Sequence, residues 1–170
     1  MVLISICMTI LMAVAQGQQP SIFDNLRRSS SDDCITVEYE FSAAFTGLKT
    51  IGEGVIELQG NAYHMKGDGV EIYCDGSSTW LIDELASEVV IESADSKDAG
   101  MLANPIMLLM NLEESGISYK VDGEKIVLSL QDGTKMDLIV KSMEIVPTKK
   151  PEAFRPPTDF SGKWIVTDLR

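Results

Sequence analysis

The sequence predicts a mainly β protein with an α lid. Its single curved antiparallel sheet forms an incomplete β-barrel, joined by a short N-terminal helix and a mid-chain apolar helix over the open side. Three observations predict it. Four Asp-Gly dipeptides, at Asp68-Gly69, Asp75-Gly76, Asp122-Gly123 and Asp132-Gly133, punctuate the chain. Asp-Gly suits the two positive-φ positions of a tight type I′ hairpin turn, so each marks a reversal between paired strands. The runs between them alternate apolar and polar residues, the period of a strand with one dry and one wet face. A lone apolar stretch then opens at Asn104-Pro105, a cap followed by proline at the first helical position, and stops at Gly116.

The elements follow in order. Ile22, Phe23 and Leu26 stand at helical spacing, and the small and acidic residues from Ser29 to Asp33 end that helix. Cys34 to Phe45 is the clearest strand, with Ile35, Val37, Tyr39, Phe41, Ala43 and Phe45 on one face. Gly54–Gln59, Ala62–Lys66, Val70–Cys74, Thr79–Asp83 and Glu88–Glu92 are expected to continue the sheet, with Trp80, Ile82, Val89 and Ile91 turned inward. Ile106 to Leu112 is apolar on nearly every side, and such a helix needs cover on more than one side. Strands resume at Ile117–Val121, Lys125–Leu130, Lys135–Val140 and Ser142–Val146. Pro147 to Pro157, with Pro151 and Pro156 inside it, is an extended loop that cannot belong to a central strand, and Lys163–Asp168 is the last strand.

With 170 residues the chain suits one domain, expected over 16–170. Val2 to Val14 is an apolar run too short to span a bilayer comfortably, and it ends in Ala13-Val14-Ala15. It reads as a signal peptide over 1–15, cleaved near Ala15, so the protein is expected in the periplasm. The net charge of −12 excludes nucleic acid as a partner and disfavours adhesion to anionic headgroups. Cys34 and Cys74 would be the remaining cysteines; three strand spacings put them about 14 Å apart, beyond the reach of a disulfide, and two buried thiols are expected.

Catalytic chemistry is missing. The one histidine, His64, falls on the wet face. No His-Glu-x-x-His, Cys-x-x-Cys or Gly-x-Ser-x-Gly occurs. The four turn aspartates belong to separate turns and lack the spaced acidic loop of a calcium site. Neither an enzyme, a metal nor a cofactor is expected. The positive signal is apolar: aromatic and methionine side chains on one sheet face fill a core or line an adaptable cavity.

Gly52-Glu53-Gly54-Val55-Ile56-Glu57-Leu58-Gln59-Gly60-Asn61, Ile72-Tyr73-Cys74-Asp75-Gly76-Ser77-Ser78-Thr79-Trp80, Glu88-Val89, Asn104-Pro105, Phe154-Arg155-Pro156-Pro157 and the ending Val166-Thr167-Asp168-Leu169-Arg170 stand in a familiar order. That order resembles the periplasmic outer-membrane lipoprotein carrier family, LolA, and especially its shorter LolA-like putative lipoprotein chaperones. The resemblance implies an incomplete barrel with a helical lid over a hydrophobic cavity. It implies a carrier that takes acylated lipoproteins from an inner-membrane ABC-type release complex, shields their acyl chains and delivers them to an outer-membrane acceptor, without a covalent step. On this chain it implies a cavity wall of Val37, Tyr39, Phe41, Ile56, Leu58, Tyr63, Met65, Ile72, Trp80 and Ile82, and a lid carrying Ile106, Leu109 and Met110. One departure stands out. The family places an arginine on an early strand, bonded toward the lid; Gln59 to Lys66 offers only Lys66, on the outer face. A binder of another lipid or amphiphile on the same scaffold, and an envelope protein with a filled core, are the alternatives.

Overall fold

The computed structural model describes residues 33–45, 48–67, 69–94, 117–122, 125–130, 133–157 and 159–170. They form ten strands: β1 (Cys34–Phe45), β2 (Leu48–Gln59), β3 (Ala62–Gly67), β4 (Val70–Cys74), β5 (Ser78–Asp83), β6 (Glu88–Ser93), β7 (Ser118–Asp122), β8 (Lys125–Ser129), β9 (Lys135–Val146) and β10 (Ile165–Asp168). All ten belong to one sheet in the order β10-β6-β5-β4-β3-β2-β1-β9-β8-β7. The Asp-Gly dipeptides lie at the β3–β4, β4–β5, β7–β8 and β8–β9 connections, each joining antiparallel neighbours. Gly69, Gly76 and Gly133 take positive φ there. Asp75 does not: its carboxylate instead accepts from the N–H groups of Ser77 and Ser78, both at 2.9 Å, in an Asx-type turn.

The incomplete barrel with an α lid is corrected by this topology. The sheet is open and mixed, with β7 and β10 as its two ends. β10 does not close on β7; it runs parallel to β6, pairing Ile165 with Glu88 and Asp168 with Ile91. Among the described residues the one helical element is a 3-10 turn, Pro151–Phe154. The helices expected over 22–26 and 104–112, and the leader over 1–15, lie outside the described residues.

Two expected strands are one. β9 pairs with β1 along its length, and the register shifts between Glu38 and Tyr39, leaving Lys141 as the extra residue of a β-bulge. Met136, Leu138 and Val140 are in one phase of the alternation and Met143 is in the other, which reads in sequence as a break. The bulge absorbs that phase change and turns Lys141 toward Glu40, at 2.5 Å.

Where β2 meets β3 the backbones crowd together. A Cβ on Gly67 would strike the Glu53 carbonyl, and one on Gly54 would lie 2.8 Å from the Tyr39 hydroxyl. The Tyr39 ring therefore covers Gly54, an aromatic side chain filling the space of a glycine on the neighbouring strand.

The segment from Pro147 to Trp164 crosses one end of the sheet as a strap, from β9 past β2 and β3 to β6. Lys149 gives its N–H to Gln59 Oε1 at 2.7 Å and takes a bond from Gln59 Nε2 at 3.0 Å, while its ammonium meets Glu57 at 2.6 Å. Phe154 is buried, and Arg155 Nε reaches Asp75 at 2.8 Å. Partial burial works to raise the Asp75 carboxyl, but the N–H bonds from Ser78 and Ser77 and the Arg155 guanidinium outweigh it and hold the group below its usual range. A depressed carboxyl contributes stability above its unfolded value and loses it as pH falls through the folded one. Asp75→Asn keeps an acceptor oxygen but loses the charge, and is therefore expected to cost up to about 1 kcal/mol near neutral pH, mostly from weakening the two N–H bonds, because Arg155 is exposed and screened. Urea melts should show the variant and the parent converging below about pH 4.

Candidate functional site

Cross-strand partners share a sheet face, so the register sorts the side chains. Val37 is opposite Ile56, Ile56 opposite Met65, and Met65 opposite Ile72. Ile35 and Tyr63 flank Leu58 in the same way, and Cys74 is opposite Tyr63. On the other side of β1, Tyr39 is opposite Val140 and Phe41 opposite Leu138, with Ile126 and Leu128 next across β8. Among the described residues, one inner face thus runs from β8 to β4 without a charged side chain in its buried core. Eight of the ten wall residues that the resemblance implies stand on it: Val37, Tyr39, Phe41, Ile56, Leu58, Tyr63, Met65 and Ile72. All are buried except Phe41, which is half-buried and packs against the others with its ring 6.4 Å from that of Tyr39.

Trp80 and Ile82 do not join them. Leu81 is opposite Ile72, so Leu81 takes the inner face, and Trp80 and Ile82 turn outward with Tyr73, Val89 and Ile91. There they form a second apolar cluster, closed by Phe160 and Trp164 of the strap, whose rings meet edge to face at 5.4 Å. β5 and β6 have an apolar set on both faces, and alternation alone cannot say which one faces the main core. Ile106, Leu109 and Met110 lie outside the described residues. The wall expected from sequence also omits Ile126, Leu128, Met136, Leu138 and Val140, five buried members of the inner face. Their own alternation in β8 and β9 is the signal that could have found them.

Polar groups on the inner face are few. The Tyr63 phenol is pushed up to about 12, first by burial and then by the nearby Cys74 thiol, so it stays neutral and can only donate or accept hydrogen bonds. Cys74 is a buried thiol on this face of β4 and Cys34 a buried thiol on the opposite face of β1, across from Gln59, and burial raises both.

The outer face is the charged one. His64 stacks on Tyr73 with ring centroids 4.2 Å apart, and its Nε2 meets Glu71 at 2.8 Å. Tyr73 donates to the same carboxylate oxygen at 3.1 Å. The wet-face position is as expected, but the ring is half-buried instead of solvated. Beside the bulge lies an open cleft of ≈ 490 Å³ lined by Glu38, Glu40, Glu53, Lys66 and Lys141, among others. An apolar guest there would strip water from these charged groups, so the cleft does not suit one. Among the described residues no group of three or more His, Cys, Asp or Glu side chains is arranged to hold a metal ion.

No family model and no curated protein matches this chain. Its fold is similar to that of an uncharacterized conserved protein from Thermus thermophilus, with a TM-score of 0.50 and 9% identity over 85% of this chain and 95% of that one. A fainter likeness, to the structure of PNGF-II, has a TM-score of 0.34 and 11% identity over 80% of this chain and 31% of that one, too remote to carry an argument. The first likeness concerns the fold alone.

Proposed function

We propose that the protein is an exported carrier that receives the acyl chains of lipoproteins on the inner face of its sheet and delivers them toward the outer membrane. The observation that carries this reading is the persistence of apolar side chains on that face where it is no longer covered. Leu81 on β5 and Tyr119 and Val121 on β7 are about two-fifths exposed or a little less, at 36%, 42% and 38%. Each is opposite a buried inner-face residue: Ile72, Leu128 and Ile126. A face meant to meet water at its margins would turn polar there; an apolar margin suits a surface that accepts an apolar guest.

The energetics fit a reversible carrier. Each methylene withdrawn from water contributes about 0.8 kcal/mol, so bare acyl chains partition strongly into any membrane. A carrier must offer comparable burial and still let go. The exposed apolar margin of that face offers such burial without bond making, and it needs neither cofactor nor catalytic group. An inner-membrane ABC-type release complex as donor and an outer-membrane acceptor complete the reading, which rests for those partners on the resemblance in sequence.

The deciding experiment is release of a fluorescent triacylated lipoprotein from membrane vesicles by the purified protein. Phe41→Glu places a charge on the half-buried part of the inner face. Release and acyl-probe binding should fall at least about ten-fold, the cost of leaving a carboxylate against apolar surface, while the β signal in circular dichroism is kept. Unchanged transfer by this variant overturns the assignment of the face. Co-purification with a free lipid in place of a lipopeptide shifts the cargo to another amphiphile on the same face.

A further inference from the structure

The charged cleft beside the bulge has an ordered lining whose charges do not all cancel within the protein. Its ≈ 490 Å³ falls in the size range of small-molecule sites. The register lays out its walls on the outer face. Glu38 on β1 is opposite Val55 on β2, and Val55 is opposite Lys66 on β3, so the three form one row across the strands. Glu40 is opposite Glu53 in the next row. Lys141, the extra residue of the bulge, turns into the cleft and pairs with Glu40. Bulges re-aim side chains in this way beside functional sites. Among the described residues, Glu38, Glu53 and Lys66 make no ion pair, although all three line the cleft. Between Glu38 and Lys66, Val55 is 40% exposed and forms an apolar floor.

We propose that this cleft is a binding site for a small zwitterion, with a primary ammonium at one end, a carboxylate at the other and a short aliphatic chain between them. Glu38 and Glu53 take the ammonium, Lys66 takes the carboxylate, and the chain lies over Val55. Charge decides against the other classes. The three glutamates repel a plain anion, and Lys66 and Lys141 repel the further ammonium groups of a polyamine. Among the described residues no acidic group is arranged to hold a metal ion. A zwitterion meets each unpaired charge of the cleft with its opposite. The spacing suits a chain between the charges: Glu38 and Lys66 stand two strand spacings apart, about 10 Å between backbones, and their side chains take up part of that distance. The cleft is open, so these contacts are screened and binding is reversible and salt-sensitive. The site is on the sheet face opposite the acyl surface and does not rest on the carrier reading.

The test is titration of the isotope-labelled, purified protein with δ-aminovalerate, followed by NMR through the Val55 methyl groups. A saturable shift with a Kd of about 1 mM or tighter is expected. The Kd should rise as salt is added. Two chain-matched controls, n-pentylamine and valerate, each carry one of the two charges and should bind at least about ten-fold more weakly. Glu38→Gln and Lys66→Gln should each weaken δ-aminovalerate binding about five-fold or more, and Lys66→Arg should restore most of it. Both positions are exposed, so neither change threatens folding. The proposal is overturned by an unmoved Val55, by either control binding as tightly as the zwitterion, or by a Glu38→Gln protein that binds like the parent.

Discussion

Truncating Phe154 to alanine is expected to cost about 3–5 kcal/mol, the range for emptying an aromatic site in a well-packed interior. Phe154 is 1% exposed and is the largest fully buried side chain among the described residues. It belongs to the 3-10 turn of the strap, an element that makes no ladder bonds of its own and so depends on this one side chain for its seat. The loss should spread beyond the cavity. With Phe154 gone, the strap retains the Lys149 contacts to Gln59 and Glu57 before it and the Arg155–Asp75 pair after it, and both are partly solvated. Hydrogen exchange is the informative readout: protection should fall first in β10 and β6, which the strap joins, and last in β1 and β9. Uniform loss across the sheet, or a melting midpoint within error of the parent, would show that the strap is not an independent cover.

Gly67→Ala is the second large effect, expected at about 3 kcal/mol, the upper end of the cost of overpacking. Most strand glycines gain from a methyl group, because it restricts the unfolded chain. Here the added Cβ would meet the backbone of β2: the Glu53 carbonyl, and the Gly54 Cα at 2.9 Å. Backbone cannot swing away as a side-chain tip can, so β2 and β3 would have to separate at the point where β3 ends. Gly54→Ala should be milder, since its Cβ would first meet the Tyr39 hydroxyl, a side chain that can shift, and its nearest backbone atom, the Lys66 carbonyl oxygen, is farther off at 3.0 Å. Urea denaturation of both variants gives the order, and a Gly67→Ala protein as stable as the parent would refute the close approach of the two strands.

The strand content is legible because each strand carries its own signal. Cys34–Phe45 shows the alternation over its whole length, and the Asp-Gly dipeptides mark turns by local backbone preference. Less is legible wherever two segments have to be compared. Alternation in β5 and β6 is equally good with either face inward, so sequence alone turns Trp80, Ile82, Val89 and Ile91 toward the main core, when Phe160 and Trp164 cover them from the other side. The phase change at Lys141 reads as a strand boundary along the chain; only the continuous pairing of β1 on both sides of it reveals a bulge.

By itself the sequence determined most of the extended segments and where the chain reverses, because these follow from residue period and turn chemistry within a few positions. It missed the first half of β2 (Leu48–Gln59), where Gly52 reads as a turn residue but pairs along β1. Only the tertiary structure decided that the sheet stays open, that β10 enters it parallel to β6, and that Trp80 and Ile82 turn away from the main core. Those outcomes depend on a strap that brings residues 147–170 back beside strands formed many positions earlier, and on burial by distant partners. No local pattern encodes such a return.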